Sequence, residues 1–159
     1  MFDDQDHIQR LLDFAYFYLK FRPRTKKEIV DYLNKKSQKY HFNQEIIDKV
    51  INKLQEEDLI NDNKFIDWFV DQRNRTKPKS RFALTTELIR FGVHKDLIDE
   101  YFSNSSQDET SLAHQALVKR WRQFSQLPKD KRFQKAAGFL TRRGFNFEII
   151  RKVIDKLED

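Results

Sequence analysis

The sequence contains no cysteine, only three glycines and three prolines, and no apolar run long enough to cross a bilayer. Without thiols, disulfides, thiol catalysis and thiolate metal sites are all excluded, which suits a reducing compartment. With few turn-forming residues, 35% charged residues and 38% hydrophobic ones, the composition favours helices over a turn-rich sheet protein. A spanning helix needs about 20 apolar residues. The N-terminal stretch MFDDQDHIQR is acidic where a secretory signal would be basic and then apolar, so a soluble, cytoplasmic protein with no membrane partner is expected. Catalytic signatures are missing too. His7, His41, His94 and His114 lack metal-ligand spacing, and Gly92, Gly138 and Gly144 are isolated, so no loop cradles a phosphate. Carboxylates alternate with lysines, as on solvated helix faces. No enzyme, cofactor or metal site is expected.

Two of the three glycines lie in a repeated stretch. LIRFGVHKDLI (Leu88 to Ile98) returns 52 positions later as LTRRGFNFEII (Leu140 to Ile150), pairing Leu88 with Leu140, Arg90 with Arg142, Gly92 with Gly144 and Ile98 with Ile150. In both, an apolar and basic run reads as the end of one helix, the glycine as its left-handed stop, and the following run as the next helix. A third, degenerate copy without glycine fits around Leu33, Glu45, Ile46 and Ile47 if the turn NKKSQKYHFN carries four extra residues. Pro23, Pro78 and Pro128 precede the repeated stretches at intervals of 55 and 50, and Trp68 and Trp121 recur 53 apart. Three copies follow, over 1–60, 61–102 and 103–159.

The fold class expected is all-α, a tandem array of three three-helix repeats. Apolar periodicity places helices over 7–21, 25–37 and 43–57, then 62–75, 80–91 and 95–102, then 109–126, 129–143 and 147–157. Units this small bury too little surface alone, so an elongated, curved, monomeric stack is expected. The first helix, with its run FAYFYLKF, is apolar nearly all round. That predicts cover on more than one face, by a neighbour and a partner, or a chain whose usual leading residues are missing. The polar stretch SNSSQD (Ser103 to Asp108) is the expected bending point. Trp68 and Trp121 fall on apolar stripes and read as core.

The net charge of +6 is concentrated in the last copy: between Thr110 and Phe147 nine lysines or arginines face one acid, Asp130. Arg73 to Phe82 is a second, acid-free basic run. Such runs are either solvated surface or a footprint for phosphate or an acidic protein groove.

AYFYLKFRPRTKKEI (Ala15 to Ile29), LINDNKFIDWFVDQR (Leu59 to Arg73), TTELIRFGV (Thr85 to Val93) and FLTRRGF (Phe139 to Phe145) together resemble the RecX family, bacterial regulators of the RecA recombinase. The four motifs keep the family's order and cover nearly the whole chain. The resemblance implies tandem three-helix repeats, binding within the groove of the RecA recombinase filament, and inhibition of strand exchange, ATP hydrolysis and the co-protease function, with consequences for DNA repair and the SOS response. Where the family has lysine-glycine-proline in its middle copy, this chain has Thr76, Lys77 and Pro78. It also begins almost at the first repeat, as a shortened member would.

Carried over residue by residue, the resemblance points to Arg22 and Arg24 around Pro23, Arg73 and Lys77 around the middle turn, and Arg142 and Arg143 before Gly144. Arg22, Arg24 and Arg73 are expected to cap helix-end carbonyls, whereas Lys77, Arg142 and Arg143 are candidates for partner binding. The charge map adds Arg81, Arg90, Lys119, Arg120, Arg122 and Arg132. Reversing Arg120, Arg122, Arg142 and Arg143 together is expected to spare the fold. The alternative reading is a sequence-independent DNA-binding module holding phosphates weakly and non-specifically. The third helix of the middle copy, KDLIDEYF, is acidic and poorly suited to reading bases.

Overall fold

In the computed structural model, which describes residues 3–159, helix starts are set by short polar side chains. Asp3, Thr25, Asn43, Asp108 and Asn146 each accept a backbone N–H from the first turn that follows. Ser80 and Asn61 do the same for Ala83 and Lys64. These caps satisfy N–H groups that a helix cannot pair internally. Thr25 and Glu28 complete a reciprocal capping box.

Among the described residues there are nine helices and no strand: α1 (Asp4–Leu19), α2 (Lys26–Tyr40), α3 (Gln44–Glu56), α4 (Asp62–Thr76), α5 (Arg81–Arg90), α6 (Lys95–Ser103), α7 (Glu109–Phe124), α8 (Lys129–Arg142) and α9 (Phe147–Glu158). The all-α, three-by-three organisation is therefore as expected. One local reading changes. The extra residues in NKKSQKYHFN do not widen a turn but extend α2 to Tyr40, and His41, at φ 58°, supplies the left-handed stop that glycine provides elsewhere. No helix among the described residues is long and apolar enough to cross a membrane.

The chain divides into two compact units, Met1–Trp68 with Leu88–Leu97, and Phe69–Glu87 with Ile98–Asp159. In the first, α1, α2 and α3 bury Leu11, Leu12, Ile29, Leu33, Ile47 and Leu54 in one core. In the second, α7, α8 and α9 bury Leu112, Leu117, Ala136, Leu140, Ile150 and Ile154. Trp121 is half-buried against that second core, and Trp68 is half-buried beside Phe65, so both tryptophans sit at the rims of apolar packing. The side of α1 expected to be covered is open, with Phe17 59% and Phe21 65% exposed.

Each unit contains the same joint. Thr25 and Ser80 are the buried polar residues among those described, and each lies two positions after a proline at the start of a copy's second helix. In the first unit the Thr25 hydroxyl donates to the carbonyl of Phe91 (2.6 Å), the residue before Gly92. In the second, the Ser80 N–H donates to the carbonyl of Arg143 (3.0 Å), the residue before Gly144. Both glycines take φ 88°. A Cβ on Gly92 would collide with the Lys27 stem, and one on Gly144 would meet Ser80 Oγ and lie 2.7 Å from Ala83 Cβ. Glycine is required twice over, by conformation and by space.

Glu87 organises the chain around that second joint. Its carboxylate accepts from Arg73 Nε (3.1 Å) and from Lys79 Nζ. Burial favours its neutral form, but the hydrogen bonds from Lys79 and Arg73 and their charges outweigh it, so its pKa lies below the usual glutamate value.

Replacing Gly144 with valine should cost about 1–3 kcal/mol from the backbone conformation alone, plus the collision with Ser80 and Ala83. The melting temperature should fall by roughly 2–4 °C per kcal/mol. A melting temperature equal to the parent's would mean the joint is not tight. Because the folded-state pKa of Glu87 is depressed, its stabilisation is present above the unfolded value, near 4.5, and disappears as pH falls through the folded value. Denaturant titrations should show Glu87→Gln less stable than the parent at neutral pH, with the two chains converging in acid. A constant gap at every pH would refute the ionic contribution.

Candidate functional site

Along α7 the apolar positions Leu112, Ala113, Ala116 and Leu117 turn inward, and Lys119, Arg120 and Arg122, in the last turns of the helix, are exposed. The end of α8 contributes Arg142, exposed, and Arg143, half-buried. Two of these groups converge on one ring. The guanidinium carbon of Arg120 lies 5.2 Å from the centroid of Phe139, and that of Arg143 lies 4.7 Å from it. Arg143 Nη1 also donates to the Pro78 carbonyl (3.2 Å). Burial first, and the charge of Arg120 second, lower the pKa of Arg143, although an arginine stays protonated through the physiological range. No carboxylate pairs with Lys119, Arg120, Arg122, Arg142 or Arg143 among the described residues. Lys129, Lys131 and Lys135 of α8 are likewise exposed and unpaired. They belong to the same acid-poor run and could have been named from it. The role of Phe139 was less visible, its only signal being its place four residues before Arg143.

Several sequence candidates are held elsewhere. Arg132 grips Glu158 with two bonds of 2.6 and 2.7 Å and donates to the carbonyls of Ser125 and Leu127, so it ties α8 to the end of α9. Arg81 is half-buried, with Nη2 donating to the Gln107 carbonyl (2.8 Å), and it thereby anchors the SNSSQD stretch read as a bending point. The basic run from Arg73 to Phe82 is largely neutralised: Arg73 and Lys79 go to Glu87, and Arg75 goes to Asp71 (3.2 Å). Lys77 alone among the lysines of that run is exposed without an acidic partner. Arg90 ends α5 in the first unit, exposed and also unpaired with any described acid.

The three arginines expected to be structural are so, by different means. Arg24 Nε donates to the Tyr18 carbonyl (3.2 Å) at the end of α1, as a capping arginine should. Arg22 donates to the Pro23 carbonyl and to Glu28. Arg73 caps no carbonyl; it pairs with Glu87 and covers the Phe69 ring at 4.7 Å. Among the described residues no group of three or more histidine or acidic side chains is placed to hold a metal. The arrangement offers a fixed cationic surface with an aromatic floor, suited to binding anionic groups.

Comparison with known proteins places the chain in a family. A model described as RecX, third three-helix domain, matches residues 107–154, and one described as RecX, first three-helix domain, matches 12–54. The regulatory protein RecX of Chlorobium phaeobacteroides is 32% identical, with 94% of each chain covered. That of Streptococcus agalactiae serotype V is 30% identical over 96% of this chain, which spans 60% of the streptococcal protein's length. The crystal structure of RecX from Lactobacillus salivarius superposes with a TM-score of 0.77 at 23% identity, covering 97% of this chain and 98% of that one. By its sequence relatives, and with the same fold, this chain belongs to the RecX family of regulatory proteins.

Proposed function

We propose that this chain regulates the RecA recombinase by binding its filament, inhibiting strand exchange, ATP hydrolysis and the co-protease function, and so modulating DNA repair and the SOS response. One observation carries the reading. The second unit presents Lys119, Arg120, Arg122, Arg142 and Arg143 with no internal counter-charge, two of them over the ring of Phe139. A protein normally pairs or disperses such charges, and a concentrated unpaired set raises the attraction for a surface of acidic side chains or phosphates. Arg143 is already ordered by Pro78 and Phe139, so less side-chain freedom is lost when a partner arrives. The protein acts as a binding module without chemistry of its own.

The fourfold reversal anticipated from sequence needs correction. Arg143 is half-buried and hydrogen-bonded to Pro78, so reversing it would strand a carboxylate against a carbonyl and perturb the fold. Lys119, Arg122 and Arg142 are exposed and unbonded to other side chains. The triple variant Lys119→Glu, Arg122→Glu and Arg142→Glu should keep its circular dichroism and stay within about 0.5 kcal/mol per site of the parent's stability. It should lose most inhibition of the recombinase's DNA-dependent ATPase. Undiminished inhibition by the folded triple variant at physiological salt would place the working surface elsewhere.

Binding to free DNA should be weak, indifferent to sequence and steeply salt-dependent, because these side chains reach phosphates without reading bases. Tight, salt-insensitive binding to one duplex sequence in an electrophoretic shift assay would contradict this account.

A further inference from the structure

The first unit has a feature that the basic surface of the second unit does not explain. Where α1 ends and α4 begins, a cleft of about 370 Å³ is floored by Leu19, Pro23, Leu59 and Phe65. Leu59 is 41% exposed there. It is held out by a left-handed Asp58 (φ 59°) and by its own N–H donating to the Leu54 carbonyl (2.9 Å). The next apolar surface along α1 is Phe17 and Phe21, exposed and meeting edge to face at 5.2 Å. A cleft of this volume, apolar at its floor and carrying a few charged groups at its edge, has the make-up of a binding pocket.

The rim is positive. Lys20 is exposed without an acidic partner among the described residues. Arg22 and Arg24 share a single carboxylate, Glu28, at 2.6 and 3.6 Å, which leaves one charge uncompensated. Lys64 is balanced by Asp58, whose carboxyl is held below its usual pKa by hydrogen bonds from Lys64 and Asn61. We infer that this cleft is a second docking site, one that takes an acidic peptide inserting a single large apolar side chain between Leu19, Pro23 and Leu59. The floor supplies the apolar contact, and Lys20 with the arginine pair supplies the attraction for flanking carboxylates. Single-stranded nucleic acid fits less well, because base stacking needs an open ring face. Phe65, the one aromatic residue lining the cleft, is only 1% exposed and presents no such face.

The test uses the full chain and fluorescence anisotropy of a fluorescein-labelled peptide, EDEFEDE, with EDESEDE and KRKFKRK as comparison probes. EDEFEDE should bind, and both comparison peptides should bind at least about tenfold more weakly, a loss equivalent to roughly 1.4 kcal/mol. The exposed change Lys20→Glu, alone and with Leu59→Ser, should weaken EDEFEDE by about tenfold or more while circular dichroism stays that of the parent. The triple variant in α7 and α8 should bind the peptide normally, which separates this site from the filament-inhibiting surface. The inference is overturned if EDEFEDE does not bind, if EDESEDE binds as well, if the α7 and α8 triple variant abolishes binding while Lys20→Glu does not, or if a thymidine oligonucleotide displaces the peptide.

Discussion

The hydrogen bond between a helix's first turn in one copy and the carbonyl before a glycine stop in the next is the constraint on which the rest depends. A three-helix unit of about 50 residues buries little apolar surface and is marginal alone. It must be met by its neighbour at a fixed place. Thr25 to Phe91 and Ser80 to Arg143 provide that place in the two units. The hydroxyl is buried, so leaving it unpaired would cost about 1–3 kcal/mol. The glycine allows the chain close enough to reach it, and an apolar contact could hold two copies together without fixing their register. A buried polar bond adds that selection, because a shifted register would leave it unmade.

Electrostatics follow from the same joints. The residues around each proline turn are basic in both units, and most are neutralised nearby by one acid placed inside the second helix: Glu28 for Arg22 and Arg24, Glu87 for Arg73 and Lys79. The parallel shows a shared arrangement in which a carboxylate ties the approach to the joint. Among the cations left without a described acidic partner, those on α7 and at the end of α8 form the densest set. A charge count along the chain cannot make that distinction, because it treats a lysine bonded to Glu87 and a lysine open to solvent as equal.

This explains what was legible in the sequence and what was not. Helix positions were legible because apolar periodicity, caps and glycine stops are local, and the three-by-three organisation was legible because the repeat is written in the chain. The end of α2 was misread, since His41 adopts the left-handed conformation without being glycine. Lys119, Arg122 and Arg142 stand exposed in the structure, whereas Arg132 and Arg81 are engaged by Glu158 and Gln107, which stand 26 residues further along the chain. Long-range pairing is set by packing, which composition does not encode. The interlocking of Thr25 with the Gly92 turn was equally hidden, although the shared proline-to-hydroxyl spacing was present to be noticed.

Arg143 brings these themes into one residue. Its carbonyl accepts the Ser80 N–H, its guanidinium donates to Pro78, and the same guanidinium lies over Phe139 beside Arg120. Backbone and side chain therefore serve different masters, one fastening two copies and the other facing outward. An anion that reaches the guanidinium while Arg143 keeps its bond to the Pro78 carbonyl meets a donor already held in place by the seam that it helps to close. By thermodynamic reciprocity, whatever the seam contributes to holding the anion, the anion returns to the seam. Holding an anion at this arginine and keeping the seam between the helices closed would therefore reinforce one another.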